Sequence, residues 1–281
     1  TSSEIQETLI KSAADLITEE TPNYQYVGGR LINYHLRKMV YNSFDPPHIL
    51  DIVKKNVKDG YYDKNLLEDY SEEEWQKINK FIDHSRDEDF TYAAMEQFRG
   101  KYLVQNRVTG EIKETPQVAY ILISATLFSN YPKETRLQWV KDYYDAISKF
   151  YISLPTPVMA GVRTPQRQFS SCVLIETDDS LDSINATTSS IVKYVSQKAG
   201  IGIGAGSIRA LGSPIRHGDA YHTGVIPFYK MFQSATRSCS QGGVRNGAAT
   251  LYYPLWHLEI GLRINLYSIS ICLGKVRKIH D

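Results

Sequence analysis

The stretch Phe169-Ser-Ser-Cys-Val-Leu-Ile175, followed by Asp179-Ser180 and then by Gly200-Ile-Gly-Ile-Gly-Ala-Gly206, decides the fold of this chain. Phe169 to Ile175 reads as a short strand, because an apolar run of that length between turn signals suits one. Asp179 and Ser180 are N-cap residues, and the helix they open runs to about Ala199. Gly200, Gly202, Gly204 and Gly206 then read as a glycine-rich turn, a flexible loop whose backbone approaches a ligand closely. Strand followed by helix is α/β texture.

Upstream the texture is helical. In Glu4 to Ile17, the residues Ile5, Leu9, Ala13 and Leu16 recur at three- and four-residue steps and make one apolar face. Pro22 ends that helix, and a second spans about Gln25 to Asn42 with Val27, Leu31, Tyr34 and Met39 inward. Pro46 and Pro47 break the chain before a helix over about His48 to Lys58. Ser71 and Glu74 form a capping box for a helix reaching about His84. Lys101 to Lys113 alternates around Thr109-Gly110 and predicts a β-hairpin. Helices follow at about Gln117 to Phe128 and Lys133 to Ile152. The irregular passage Leu154 to Arg167 marks a domain boundary. Downstream of the glycines a helix spans about Thr223 to Ser238, followed by a second turn-forming stretch, Ser240 to Gly247.

Composition bounds the chemistry. With 281 residues, 42% hydrophobic and 22% charged, the chain buries one large core or two modest ones. The formal charge of +1 gives no strong pull toward nucleic acid or a membrane surface, and neither is expected as a partner. Charge is uneven, however. Ser207 to Asp281 holds nine Lys/Arg against three acids. That pattern suits a small anionic ligand, or else a solvated face whose partners lie in the acidic half. Three cysteines, Cys172, Cys239 and Cys272, are too few and too scattered for a disulfide framework or a zinc site, and no metal is expected. They read as cytosolic thiols. With no apolar run of membrane-spanning length and no signal-peptide layout, the expected location is the cytoplasm. The start at Thr1 leaves room for an upstream segment.

Three features carry chemistry. Cys172 lies on the short strand, where a thiol serves as nucleophile or redox donor; the alternative is a small buried hydrophobe. Gly200-Ile-Gly-Ile-Gly-Ala205 satisfies GxGxxA, yet a true dinucleotide fingerprint follows a strand and opens a helix, and here a helix precedes it. Arg209 and Arg216, seven residues apart, either converge on a phosphate chain or stand as two surface arginines.

Longer motifs add a resemblance. Arg163-Thr-Pro-Gln-Arg-Gln-Phe-Ser-Ser-Cys-Val-Leu-Ile-Glu176, Asp179-Ser-Leu-Asp-Ser-Ile-Asn185, Tyr194-Val-Ser-Gln-Lys-Ala-Gly-Ile-Gly-Ile203 and Ser238-Cys-Ser-Gln-Gly-Gly-Val-Arg245 resemble the large subunit of class Ia ribonucleotide reductases. Lys101 to Ile112 and Leu154-Pro-Thr-Pro-Val158 agree, so the likeness runs from about Ser2 to Ile260. The resemblance implies an α/β fold: a helical N-terminal domain followed by the first strands of a ten-stranded α/β barrel, incomplete in this chain. It divides the chain into a remnant of ATP-cone helices (1–45), a helical domain (46–160), the first part of the barrel (161–260) and an unrelated tail (261–281).

The resemblance also assigns roles. It implies reduction of ribonucleoside diphosphates to deoxyribonucleotides by radical chemistry, with Cys172 as one of two reducing cysteines. Thr156, Ser171 and Gly200 match substrate contacts. Asp179, Ser180, Leu181, Arg209 and Arg216 match a specificity-effector site at a dimer interface. Gln241 and Arg245, in the loop between the two, match residues that read the base. Lys38 matches a leftover ATP-cone contact, and Cys239 reads as structural. The ligands implied are deoxynucleoside triphosphate or ATP effectors. No cofactor is bound directly, the radical cofactor residing on a small partner subunit.

The family's radical cysteine and second reducing cysteine have no match here, and Gly261 to Asp281 resembles nothing at that place. The expectation is therefore a piece of a split large subunit, inactive alone. Its partners would be a C-terminal large-subunit fragment, the small radical-generating subunit, a second copy, and thioredoxin or glutaredoxin. The alternative is a non-catalytic nucleotide-binding or decoy fragment of the same subunit.

Overall fold

The computed structural model describes residues 1–241 and 245–260. The chain forms two compact units, Thr1–Phe169 and a second beginning at Ser170. The division falls at the far edge of the irregular passage, and the first two helices share one core with the rest of the first unit.

The first unit is helical: α1 (Ser2–Asp15), α2 (Tyr24–Tyr41), α3 (Ile49–Lys58), α4 (Asn65–Asp69), α5 (Glu72–Phe81), α6 (Tyr92–Gln97), α7 (Pro116–Phe128), α8 (Lys133–Ser148) and α9 (Thr156–Gly161). The capping box of α5 is made as expected, Ser71 and Glu74 each satisfying the other's backbone amide. Helix α7 is the centre. Every residue from Pro116 to Ala125 is buried, which is why its sequence is apolar all round rather than on one stripe.

Two local expectations are corrected and a third is narrowed. In α2, Val27, Tyr34 and Met39 are exposed and Leu31 only half-buried; the inward face is Gly28, Gly29, Ile32, Asn33, His35 and Leu36. The cause is close packing on the segment around Phe90 to Tyr92, where only glycine fits opposite the Phe90 carbonyl. In α1, Ile5, Leu9 and Leu16 are exposed, while Ile10 and Ala13 are buried. The hairpin over Lys101 to Lys113 forms but is shorter than expected: the Gln105–Ile112 bridge is flanked by bonds from the Asn106 amide to the Glu111 carbonyl and from the Lys113 amide to the Val104 carbonyl, while Phe98–Tyr102 winds into a π-helical turn.

Two buried polar knots hold this unit. Arg163 and Glu114, both 0% exposed, form a bidentate pair; Arg163 also donates to the Met159 and Tyr102 carbonyls, and Tyr62 Oη donates to Glu114. Asp87 accepts from Gln117 Nε2 at 3.0 Å and from Arg37 at 3.4 Å, and burial pushes its carboxyl up to about 6.

The second unit contains β1 (Cys172–Glu176), α10 (Leu181–Ser196), β2 (Gly200–Gly204), β3 (Pro214–Ile215), β4 (Ala220–Tyr221), α11 (Ile226–Ser238), β5 (Ser240–Gln241), β6 (Arg245–Asn246) and β7 (Ala249–Tyr252). Strands β1, β2 and β7 form a parallel sheet in that order, so α10 and α11 are its crossover helices. The sheet does not close on itself among the described residues.

The glycine stretch is not a turn. Gly200–Gly204 is the central strand β2. Alternation puts Val173, Ile175, Ile201, Ile203, Ala249 and Leu251 on the face packed against the helices. Cys172, Leu174 and Glu176 occupy the other face, with Gly200, Gly202 and Gly204 beside them in register. A Cβ at Gly202 would strike Leu174, and one at Gly204 would strike the Glu176 carboxylate. Gly202 and Gly204 are glycines because their neighbours' side chains lie over them, whereas Gly200 meets only the Ser171 carbonyl at 3.6 Å.

Candidate functional site

The helix after β1 begins with a tight polar arrangement. Ser180 is the N-cap of α10, its Oγ accepting from the Ser183 amide at 3.1 Å, while Ser183 Oγ accepts from the Asp178 amide at 2.9 Å. Asp179, just before, faces Arg209, which follows β2. The Arg209 amide donates to Asp179 Oδ1 at 2.9 Å and its Nε to Oδ2 at 2.6 Å. A further nitrogen of Arg209 donates to the Pro214 carbonyl at 3.0 Å.

From Pro214 the chain makes the short β3–β4 hairpin, whose turn holds Arg216, His217 and Gly218 all at positive φ (50°, 62° and 100°). Two non-glycine residues held in the left-handed region are strained, and such strain concentrates at ligand sites. The turn leaves Arg216 exposed, with no hydrogen bond or ion pair to its guanidinium among the described residues.

These segments enclose a cleft of about 580 Å³ lined by Asp179, Ser180, Leu181, Arg209 and Arg216 together with Ile184, Ile215, Ala220, Tyr221, His222, Thr223 and Phe228. It lies past the carboxyl ends of β1 and β2, where open parallel sheets take ligands. Two arginines and a helix N-terminus face it, so an anion is the fitting guest. Apolar rims are available too: Leu181 is 68% and Tyr221 70% exposed, and the His222 and Phe228 rings stack at 5.6 Å. Arg216 apart, the hairpin residues and the stacked rings are not marked in the sequence. Positive-φ turns at non-glycine residues leave no compositional mark.

The five residues expected at an effector site thus line one cleft. The remaining candidates are more dispersed. Cys172 opens β1 with its side chain exposed, not buried as a small hydrophobe would be; Ser171 Oγ lies 3.9 Å from its Sγ. Gly200 is in register with Cys172, and its amide donates to the Ser171 carbonyl at 2.8 Å. Thr156 belongs to the other unit, half-buried at the start of α9. Gln241 and Arg245 pair across β5 and β6, but their side chains, like residues 242–244 and Cys272, lie outside the described residues. Lys38 is engaged locally: its Nζ donates to the Asn42 carbonyl at 3.0 Å and sits 5.7 Å from the Phe44 ring centre. Cys239 is half-buried against the second unit's core. Among the described residues no group of three or more His, Cys, Asp or Glu is placed to hold a metal. No helix among them is long and apolar enough to cross a membrane.

Two family models match the sequence in tandem. Residues 88–167 match the all-alpha domain of ribonucleotide reductase and residues 170–267 its barrel domain. The chain belongs to the ribonucleotide reductase large-subunit family. The junction between the matches coincides with the division between the units. Ribonucleoside-diphosphate reductase 1 subunit alpha of Escherichia coli (strain K12) is 68% identical over 258 residues, 92% of this chain and 34% of that protein. The Haemophilus influenzae subunit alpha is 68% identical over 257 residues, and that of Enterobacteria phage T4 is 52% identical over 260, each again 92% of this chain and 34% of that protein. This ribonucleotide reductase chain therefore spans about a third of the length of the curated relatives it matches.

Proposed function

We propose that this chain contributes to ribonucleoside-diphosphate reduction one reducing thiol, part of the substrate pocket and a nucleotide effector cleft. The observation that carries the reading is the cleft past β1 and β2, where Asp179, Ser180, Leu181, Arg209 and Arg216 converge from segments far apart in sequence. A deoxynucleoside triphosphate or ATP fits its chemistry. Guanidinium forks of Arg209 and Arg216 match phosphate oxygens, while Tyr221 and the His222–Phe228 stack offer apolar surface to a base.

Cys172 would serve the reduction itself. A ribose 2′-hydroxyl leaves as water only when a proton reaches it, and the Cys172 thiol supplies one. A second thiol, on a chain carrying the rest of the barrel, completes a disulfide, so two thiols deliver two electrons and two protons to one ribose. Exposure of Cys172 on the open face of β1, beside Gly200, where a side-chain carbon would meet only the Ser171 carbonyl, supports access for a sugar ring. The radical is supplied by a small subunit, and thioredoxin or glutaredoxin restores the thiols. A second copy of the chain would complete the effector site across a dimer.

The test is reconstitution. This chain is mixed with a polypeptide supplying the remaining barrel and with a matching small subunit, and diphosphate reduction is assayed. Turnover that disappears with Cys172→Ser supports the reading. No turnover with every component folded contradicts it and favours a nucleotide-binding piece without catalysis.

A further inference from the structure

We infer that His257 and Glu259, which do not line the nucleotide cleft, are positioning residues that latch its two walls. The inference rests on the cleft being a nucleotide site only for its consequence in binding; the latch itself is read from contacts within the fold.

The chain leaving β7 contacts the segments on both sides of the cleft. Tyr253 Oη lies 2.5 Å from His257 Nδ1, and the Glu259 amide donates to the same nitrogen at 3.2 Å. His257 Nε2 lies 2.7 Å from the carbonyl oxygen of Ile208. A carbonyl only accepts, so Nε2 carries the hydrogen and Nδ1 is the acceptor for both other groups. One tautomer of the imidazole therefore satisfies three partners at once. Ile208 is fully buried and its carbonyl immediately precedes Arg209, the residue that grips Asp179.

Glu259 holds the opposite wall. Its Oε2 accepts from the Val225 amide at 3.1 Å, one residue before α11, and its Oε1 crowds Gly224, which sits at φ 90°. Residues 220–223 and 228, on either side of that contact, line the cleft. Pro254 packs against Gly206 so closely that any Cβ there would collide with its ring. One short segment thus fixes the Arg209 wall through His257 and the His222–Phe228 wall through Glu259. Both residues are buried, so their contacts are not exchanged for water.

A buried carbonyl that loses its donor costs enough to open a loop about tenfold more often. The experiment reads amide exchange by mass spectrometry on peptides spanning residues 207–224 of the full chain, in the wild type, His257→Leu, His257→Gln and Tyr253→Phe. Leucine removes the donor, and glutamine places an amide N–H near the position of Nε2. Exchange about tenfold faster in His257→Leu, restored to within about threefold of wild type in His257→Gln, supports the latch. If His257→Leu does not fold, Tyr253→Phe, which removes one hydroxyl, carries the same expectation at about threefold. Wild-type exchange in the folded variants overturns it. Thymidine triphosphate titrated into the same samples should bind about tenfold more weakly to His257→Leu. A wild-type chain that does not bind it sinks the nucleotide reading, while the exchange rates still decide the latch.

Discussion

Arg209 holds Asp179 by two different bonds, its backbone amide donating to Oδ1 at 2.9 Å and its side-chain Nε to Oδ2 at 2.6 Å. The carboxylate therefore fixes both where the Arg209 backbone lies and where its guanidinium points. Asp179→Ala should release both. The pair is about a third exposed, so its stability contribution is screened and expected at about 1 kcal/mol. Its effect on nucleotide affinity should be larger, about tenfold, because a free guanidinium loses its aim. Chemical denaturation and calorimetric titration separate the two effects.

Ser180 has a simpler role in the unliganded protein, as the N-cap of α10. Ser180→Ala should destabilise the second unit by about 1 kcal/mol, and Ser180→Asp should restore most of that because aspartate also caps. Thermal melting checks the order. If serine-to-aspartate also repels a bound triphosphate, affinity falls while stability recovers.

The Arg163–Glu114 pair is completely buried and tied to Tyr62, Met159 and Tyr102. Removing one partner leaves a charge without its counter-ion, so Arg163→Met or Glu114→Gln should each cost about 3–5 kcal/mol. The double substitution should cost clearly less than the sum. A double-mutant cycle in denaturant measures that difference, and simple additivity would contradict it.

Two neighbouring groups should give opposite pH slopes. Burial raises the Asp87 carboxyl from 3.8 to about 6, so the folded state takes up its proton before the unfolded state does. Stability from Asp87 is therefore fully present below pH ~4 and is lost as pH rises through about 6, on the order of 3 kcal/mol in all. Burial, with the charge of Arg37, lowers His84 from 6.5 to about 4, so its stability is present above 6.5 and lost as pH falls toward 4. The two offset each other in the wild type. Asp87→Asn should steepen the loss of stability on acidification, and His84→Gln should flatten it; denaturation midpoints between pH 4 and 7 read both slopes.

Much of this was legible in the sequence where the signal is local. Ser71 and Glu74 make their capping box, Ser180 caps α10, and the helix ahead of Gly200 excludes a dinucleotide fingerprint. What escaped depends on neighbours distant in sequence. Glycine disfavours strands, so Gly200–Gly204 reads as a turn until Leu174 and Glu176 are seen filling the space above it. The inward face of α2 mixes Ile32 and Leu36 with Gly28, Gly29, Asn33 and His35, because the Phe90 backbone lies against Gly29, and nothing in the helix itself marks that contact. Arg163 finds Glu114 and His257 finds Ile208, each 49 residues away, and neither partner is encoded by spacing. Within the site, Asp179, Ser180 and Leu181 stand out through a long motif and Arg209 and Arg216 through the family match; Ile215, Ala220 and Tyr221 of the β3–β4 hairpin and the His222–Phe228 stack carry no such mark.

Arg209 and Arg216 line the same cleft, and both guanidiniums are proposed to meet the nucleotide's phosphates. Thymidine triphosphate titrated into the wild-type chain should bind saturably, with affinity falling about ten- to a hundredfold in Arg209→Ala and in Arg216→Ala and weakening as salt rises. Equal affinity in the wild type and both arginine variants, at matched folding and salt, would contradict it.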